Sequence, residues 1–428
     1  MAKRPHPTPQ PLIVVRADTR DVTLHTGAAE AEERRRPDFF ALRDALQGRI
    51  IDENDVQASR WGRLVRAVAG TYVALAVVAF GQRRSATAFV TGSENEAIVL
   101  AFLLKLARTR IPLVLPAIYP AKPAKWPAWR WARVHRYMSR VLALGTVQAD
   151  RLVNGLGVPR DKVEVLPYGI DTRYWSPQRA TPHAATRPYV FAAGLQHRDY
   201  WTLIEATEGL GVDLVVAASS LWSKSRNELA DAPLPSWVQV RSLRYGELRD
   251  AYAGAAVVAC PLVETDFPAG TTSIVEAMAM GRPVVLTRAE GTGDYVVDRR
   301  RALRRGPLRS TSAGHATRFA AESHQEQTGF LVAPGDAEAL RSILQWVLTH
   351  PEDAEAVGAR ARAVAEEVYS LEAYVGRIVA AVQEAMAEAA GRRVPATAEP
   401  VPGVSGPAAA DVRPVHLAGA ARADRGEG

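Results

Sequence analysis

Short runs rich in Val, Ile and Leu, most of them without polar alternation, recur along this chain with helical stretches between them. Strands that are apolar on both faces belong in parallel sheets covered by helices on either side. The strand candidates are Pro11–Val15, Arg49–Ile51, Thr87–Val90, Pro112–Leu115, Arg140–Leu144, Val163–Leu166, Tyr189–Ala193, Asp213–Ala217, Val238–Val240, Val257–Cys260 and Pro283–Thr287. Between them, Asn95–Ala107, Gln148–Leu156, Thr202–Gly209, Tyr245–Ala253 and Ser273–Met280 read as helices. Repeated strand–helix units in this order predict an α/β fold with doubly wound parallel sheets. The length of 428 residues suffices for two such domains.

The pattern breaks in several places. Pro, Thr, Arg and Ala replace the periodicity over Ser176–Pro188, which reads as a connection between domains. Arg299–Gln327, with Arg299, Arg300, Arg301, Arg304, Arg305 and Arg309 in its first half, reads as a long loop inserted before a strand at Thr328–Val332. Ser370–Ala389 reads as a helix opened by a serine cap and Glu372. From Gly391 onward the chain is rich in Pro, Ala and Gly without hydrophobic period, and a disordered tail over 391–428 is expected. The longest apolar run, Val65–Phe80, is interrupted by Arg66 and Gly70 and is too short to cross a bilayer; it reads as a buried helix.

Composition excludes several classes of function. With Cys260 as its one cysteine the chain can build neither a disulfide framework nor a cysteine-based metal site. Its nine histidines show no ligand-pair spacing, so no metal site is expected. The net charge of +7 fits either an Arg- and Ala-heavy background or an anionic partner: nucleotide phosphate, acidic membrane or nucleic acid. The apolar stretch Leu12–Val15 is too short for a secretory signal, so a cytoplasmic location is expected, with the inner face of the membrane as a variant.

The stretch that carries chemistry is Val257–Thr287, read as strand, loop, helix, strand. Gly270-Thr271-Thr272 stands directly before the helix. A helix start exposes unpaired N–H groups and a partial positive charge, which suit a phosphate. Gly270 lets backbone approach an anion, and Thr271, Thr272 and Ser273 add hydroxyls. Glu276, about one turn further on, can accept hydrogen bonds from a ribose diol. The same residues also make an ordinary helix cap whose first-turn acid complements the dipole.

Glu276-Ala277-Met278-Ala279-Met280-Gly281-Arg282-Pro283-Val284-Val285 resembles the Glu-Ala-Met-Ala-x-Gly-x-Pro-Val-Val signature of GT-B glycosyltransferases, specifically the large retaining family four. Further resemblances follow in the family's order. They are Val165-Leu166-Pro167-Tyr168-Gly169-Ile170-Asp171, Tyr200-Trp201-Thr202-Leu203-Ile204-Glu205-Ala206, and Thr328-Gly329-Phe330-Leu331-Val332-Ala333-Pro334-Gly335-Asp336. Together they cover about residues 143–378, most strongly in the C-terminal half.

The resemblance implies two Rossmann-like domains facing a central cleft. The division that goes with it is an acceptor domain over 1–178, a linker over 179–188, a nucleotide-sugar domain over 189–369, and a helix over 370–390 packing back toward the first domain. It also implies a retaining, metal-independent hexosyl transfer from a nucleotide-diphospho-sugar, UDP- or GDP-linked, with that sugar as substrate and no cofactor. By the same resemblance Glu276 binds the ribose hydroxyls, and Gly270, Thr271 and Thr272 meet the diphosphate. Arg198, close to Gly194, falls at the place of the family's diphosphate-binding lysine, and Ser242 and Leu243 lie where the base is held. No residue is assigned to the catalytic step itself, and the acceptor is left open among glycan, lipid and small molecule.

Three departures stand against this. Pro268 occupies the place of the family's upstream acid, with Glu264 and Asp266 nearby but out of register. Leu195 replaces an arginine whose charge Lys224 would supply unless it is a solvated loop lysine, and Pro116-Ala117-Ile118-Tyr119 stands where many members carry a histidine. The second reading is therefore a GT-B-shaped protein that holds a nucleotide or nucleotide sugar without turnover. Finally, Lys122–Arg136 interleaves Trp126, Trp129 and Trp131 with basic residues. That composition fits a peripheral membrane contact or acceptor docking, or tryptophans in the core beside solvated bases; no recognition motif for nucleic acid accompanies it.

Overall fold

A computed structural model describes residues 8–20, 35–120, 122–182, 185–218, 229, 232–292, 294–298 and 326–391. The first half of the chain runs β1 (Gln10–Val14), α1 (Asp38–Leu46), β2 (Arg49–Ile51), α2 (Glu53–Ala58), α3 (Arg60–Ala69), α4 (Thr71–Gly81), β3 (Ala86–Thr91), α5 (Glu94–Leu106), β4 (Leu113–Ala117), α6 (Trp126–Arg130), β5 (Arg140–Ala143), α7 (Thr146–Asp150) and β6 (Val163–Val165). The second half runs β7 (Tyr189–Ala193), α8 (Tyr200–Thr207), β8 (Asp213–Ala217), β9 (Val238–Arg241), α9 (Tyr245–Gly254), β10 (Val257–Cys260), α10 (Thr271–Ala279), β11 (Val284–Thr287), β12 (Phe330–Val332), α11 (Ala337–Thr349), α12 (Pro351–Glu367) and α13 (Leu371–Ala389).

The strands form two six-stranded sheets, ordered β2-β1-β3-β4-β5-β6 and β12-β11-β10-β7-β8-β9, with every pairing parallel. Successive side chains of a strand point to opposite faces, and both faces are covered. In β7, Phe191 enters a core with Val258 and Ile274, while Val190 and Ala192 enter another with Leu214 and Leu344. In β1, Leu12 and Val14 pack with Leu100 and Leu115, whereas Ile13 packs with Ile378 and Val382 of α13. This double burial is why these strands read as continuous apolar runs.

Strand order reverses between β1 and β3 in one sheet and between β7 and β10 in the other. Ligands of doubly wound sheets bind beyond the carboxyl ends of the strands at such a point. The carboxyl ends of the two sheets face one another. The Leu144 carbonyl, after β5, accepts from Tyr295 Oη at 2.9 Å, and the Thr146 N–H donates to Asp294 at 2.7 Å.

The last helix returns to the first sheet. Ser370 Oγ accepts from the Ala373 N–H at 3.2 Å and opens α13, and Leu371, Tyr374, Val375, Ile378 and Val382 form its buried stripe. Near its far end Arg140 of β5 holds Glu388 at 2.5 Å.

Two expectations shift. The run Val65–Phe80 is two helices, broken at Gly70, whose φ of 84° ends α3. α4 is buried as expected, but Val68 of α3 stands in water because that helix packs by its other side. α10 begins at Thr271, two residues before the sequence-based start, because left-handed Gly270 already serves as its cap. The loop over 299–325, the tail from 392 and residues 183–184 of the expected linker lie outside the described residues.

Candidate functional site

The reversal between β7 and β10 places Gly194 and the Pro261–Gly270 loop side by side. Gly194 has a φ of +110°, and a Cβ there would stand 2.4 Å from Arg198 Nη2. Arg198 is locked across this gap: Nε donates to the Ala193 carbonyl at 3.0 Å, Nη1 to Gln196 at 2.9 Å, and Nη2 to Ser273 Oγ at 3.2 Å. Its backbone also pairs with Leu262 across an antiparallel bridge. The guanidinium is thereby fixed beside the start of α10 by the protein itself.

That helix start has no side-chain cap. Gly270 adopts φ +80°, and any Cβ would meet Cys260 Sγ at 2.6 Å, so glycine alone fits there. Thr271 Oγ1 donates to the Pro268 carbonyl at 2.9 Å and Ser273 Oγ to the Ala193 carbonyl at 3.2 Å. Those two hydroxyls are committed within the protein, and what the helix start presents outward is backbone amide and dipole. Thr272 is exposed at the rim, near Tyr168.

One turn in, Glu276 is only 4% exposed. Its Oε2 accepts from Tyr252 Oη at 3.1 Å. Burial pushes the carboxyl up to about 7, against the lowering pull of the Arg35 guanidinium and the Tyr252 hydrogen bond. Arg35 comes from the first half of the chain, as does Tyr168, and both act electrostatically on Glu276. The buried acid therefore feels charged and polar groups of the opposite lobe. Arg35 also lies 5.2 Å from the ring of Tyr245, the first residue of α9. Just before that ring, Ser242 is exposed and Leu243 packs half-buried on the core of the second lobe. Gly194, Arg198, Gly270, Thr271, Thr272, Ser273 and Glu276 thus line one edge, with Ser242 and Leu243 after β9; Lys224 lies outside the described residues.

Sequence reasoning noted Asp266 and Tyr119 but missed that they join the lobes. Asp266 receives Tyr119 Oη at 2.8 Å, pairs with Arg151 Nη1, and its carbonyl accepts from Gln148 Nε2 at 3.0 Å. Burial alone would raise the Asp266 carboxyl, but Tyr119 and Arg151 outweigh it and hold it below the usual range. Arg151 reaches Glu290 as well, at 2.9 Å. Tyr119 stands in the Pro116–Tyr119 segment already noted for its missing histidine, which was the available signal; Arg151 and Arg35 carried none. Of the Lys122–Arg136 tryptophans, Trp129 is in the core and Trp126 and Trp131 are exposed, while Lys125 Nζ is paired with Glu94 at 2.5 Å. Among the described residues no group of three His, Cys, Asp or Glu comes together to hold a metal ion, and no helix is long and apolar enough to cross a membrane.

Residues 199–350 match the family model described as glycosyl transferases group 1. The MMP alpha-(1->4)-mannosyltransferase of Mycolicibacterium hassiacum is 24% identical over 318 residues, which is 67% of this chain and 69% of that protein. Anabaena HepE in complex with UDP-glucose shares the fold with a TM-score of 0.55 at 16% identity, over 89% of this chain and 99% of that one. Sucrose-phosphate synthase from Thermosynechococcus elongatus does so at 0.57 and 15%, over 89% and 100%. The chain has the GT-B fold, and its second lobe resembles the glycosyl transferases of group 1. The family match spans α8 through α11, so it contains the uncapped helix start and Glu276. The first lobe lies outside that match, although the solved structures extend over it.

Proposed function

We propose that this chain moves a hexose from a UDP- or GDP-linked donor to an acceptor with retention of anomeric configuration and without a metal ion. The observation that carries the reading is the uncapped start of α10 beside a locked Arg198, with Glu276 one turn further in. The diphosphate sits on the amides at Gly270–Thr272, where the helix dipole and the guanidinium favour negative charge. As the glycosidic bond breaks, charge grows on the departing diphosphate, and these donors stabilise it without having to reorganise. Glu276, once ionised, accepts from the ribose hydroxyls, and the base lies against Ser242 and Leu243. The first lobe holds the acceptor, and closure of the lobes brings the two substrates together and excludes water. Because Glu276 is buried, the lobes part for the donor to enter.

The relative's name, a mannosyltransferase, and HepE's complex with UDP-glucose support a hexosyl donor. One observation favours the alternative, a binding protein without turnover. Pro268 takes the place of the resembled family's upstream acid, and its carbonyl accepts from Thr271. The nearest acid, Asp266, is engaged by Tyr119 and Arg151. Incubation with UDP- and GDP-hexoses, with and without candidate glycan, lipid and small-molecule acceptors, tests both readings. Acceptor-dependent release of nucleoside diphosphate supports transfer, and tight binding with no release under any acceptor supports the alternative.

A further inference from the structure

Helix α3 leaves an apolar stripe in water. Trp61, Leu64 and Val68 are 71%, 56% and 83% exposed, and their spacing of three and four residues places them on one face. The opposite side anchors the helix. Gly62 is buried where a Cβ would meet the Val56 carbonyl at 2.5 Å, Val65 packs on the core of the first lobe, and Arg66 pairs with Glu53 at 3.6 Å. The stripe is thus the outward face of a helix already docked. Arg60 and Arg63 are exposed on the adjoining arc, and the sequence of α3 contains no acid.

We propose that α3 docks this protein onto an anionic lipid surface, with Trp61, Leu64 and Val68 at headgroup depth and Arg60 and Arg63 on lipid phosphate. An amphipathic helix with a tryptophan-bearing apolar face and cationic flanks lies in the plane of such an interface, and each exposed cation adds attraction to anionic headgroups. A second copy of the chain fits this face poorly. A two-fold contact would bring the Arg60 and Arg63 charges of both copies to one seam, with no carboxylate on the helix to receive them. The Lys122–Arg136 segment fits less well than α3, because its central Trp129 is in the core and Lys125 is held by Glu94. The docked helix also stands near the inter-lobe edge. It meets α4 at Gly70, and Tyr72 of α4 accepts from Arg16 Nη1 at 3.0 Å, just beyond the carboxyl end of β1.

Co-sedimentation of the full chain with phosphatidylcholine vesicles, with and without phosphatidylglycerol, tests the proposal. The expected result is binding to the anionic vesicles only, weakened by salt. It should fall at least ~10-fold both in a Trp61→Ser, Leu64→Ser, Val68→Ser variant and in an Arg60→Glu, Arg63→Glu variant, with Trp131→Ala close to the parent. All these side chains stand in solvent, and Arg63 gives up only a bond from Nη1 to the Gln57 carbonyl at 2.6 Å, so the variants melt close to the parent. Absence of parent binding to anionic vesicles overturns the proposal, as does equal binding by the α3 variants. A parent dimer in light scattering that the serine variant converts to monomer also overturns it, in favour of a second copy.

Discussion

The Tyr252 hydroxyl donates to Glu276 Oε2 at 3.1 Å, inside a site that water hardly reaches. This pairing makes the acid a sensor of what lies over it. In the free protein burial holds the carboxyl up to about 7, well above its ordinary 4.5. The stability this group contributes is therefore full below about 4.5 and is lost as pH rises through about 7. Glu276→Gln escapes that loss, so the variant should melt higher than the parent at pH 8, by roughly 1–3 kcal/mol of stability, and show little gain at pH 4.5. Thermal melts at the two pH values check it.

A ribose diol donates to the ionised carboxylate, so nucleotide binding favours proton loss from Glu276. Affinity for UDP or GDP should rise with pH through about 7 and level off above it. Calorimetry across that range should show the dependence in the parent and a flat profile in Glu276→Gln.

Arg198→Ala removes the cation fixed beside the uncapped helix. Turnover should fall about 10²- to 10³-fold, as for loss of a preorganised donor to a leaving group. Arg198→Lys keeps the charge but loses the clamp on Ala193 and Gln196, and should recover part of the activity. Nucleotide release from a donor and acceptor pair that the parent turns over is the readout.

Gly270→Ala forces a side chain into the left-handed region and against Cys260 Sγ. The expected cost is about 1–3 kcal/mol, read by denaturant titration, with nucleotide binding weakened in parallel.

Trp129→Ala should destabilise by about 3–5 kcal/mol, because the ring is fully buried in the first lobe. Trp131→Ala should stay within about 0.5 kcal/mol, because its ring stands in solvent. Chemical denaturation of the two variants separates them.

The strands were legible because a doubly covered parallel sheet writes itself as unbroken Val, Ile and Leu. Tyr189–Ala193, Asp213–Ala217 and Val257–Cys260 are bounded in the structure as their composition predicts. The turn at Gly270 was legible for a related reason: glycine before Thr-Thr-Ser marks both a left-handed cap and an approach point. Distance along the chain hid the rest. Lobe packing brings Arg35 within electrostatic reach of Glu276 and pairs Arg151 with Asp266, and no local pattern couples such residues. The two halves of Val65–Phe80 differ in exposure because of what each packs against. Composition alone does not carry that difference.

The decisive measurement is calorimetric titration of UDP and of GDP into the parent, Arg198→Ala and Glu276→Gln at pH 8. At least one nucleotide should bind the parent, and each substitution should weaken that binding about 10- to 100-fold. Absence of binding by both nucleotides, or unchanged affinity in both variants, would contradict the proposed site.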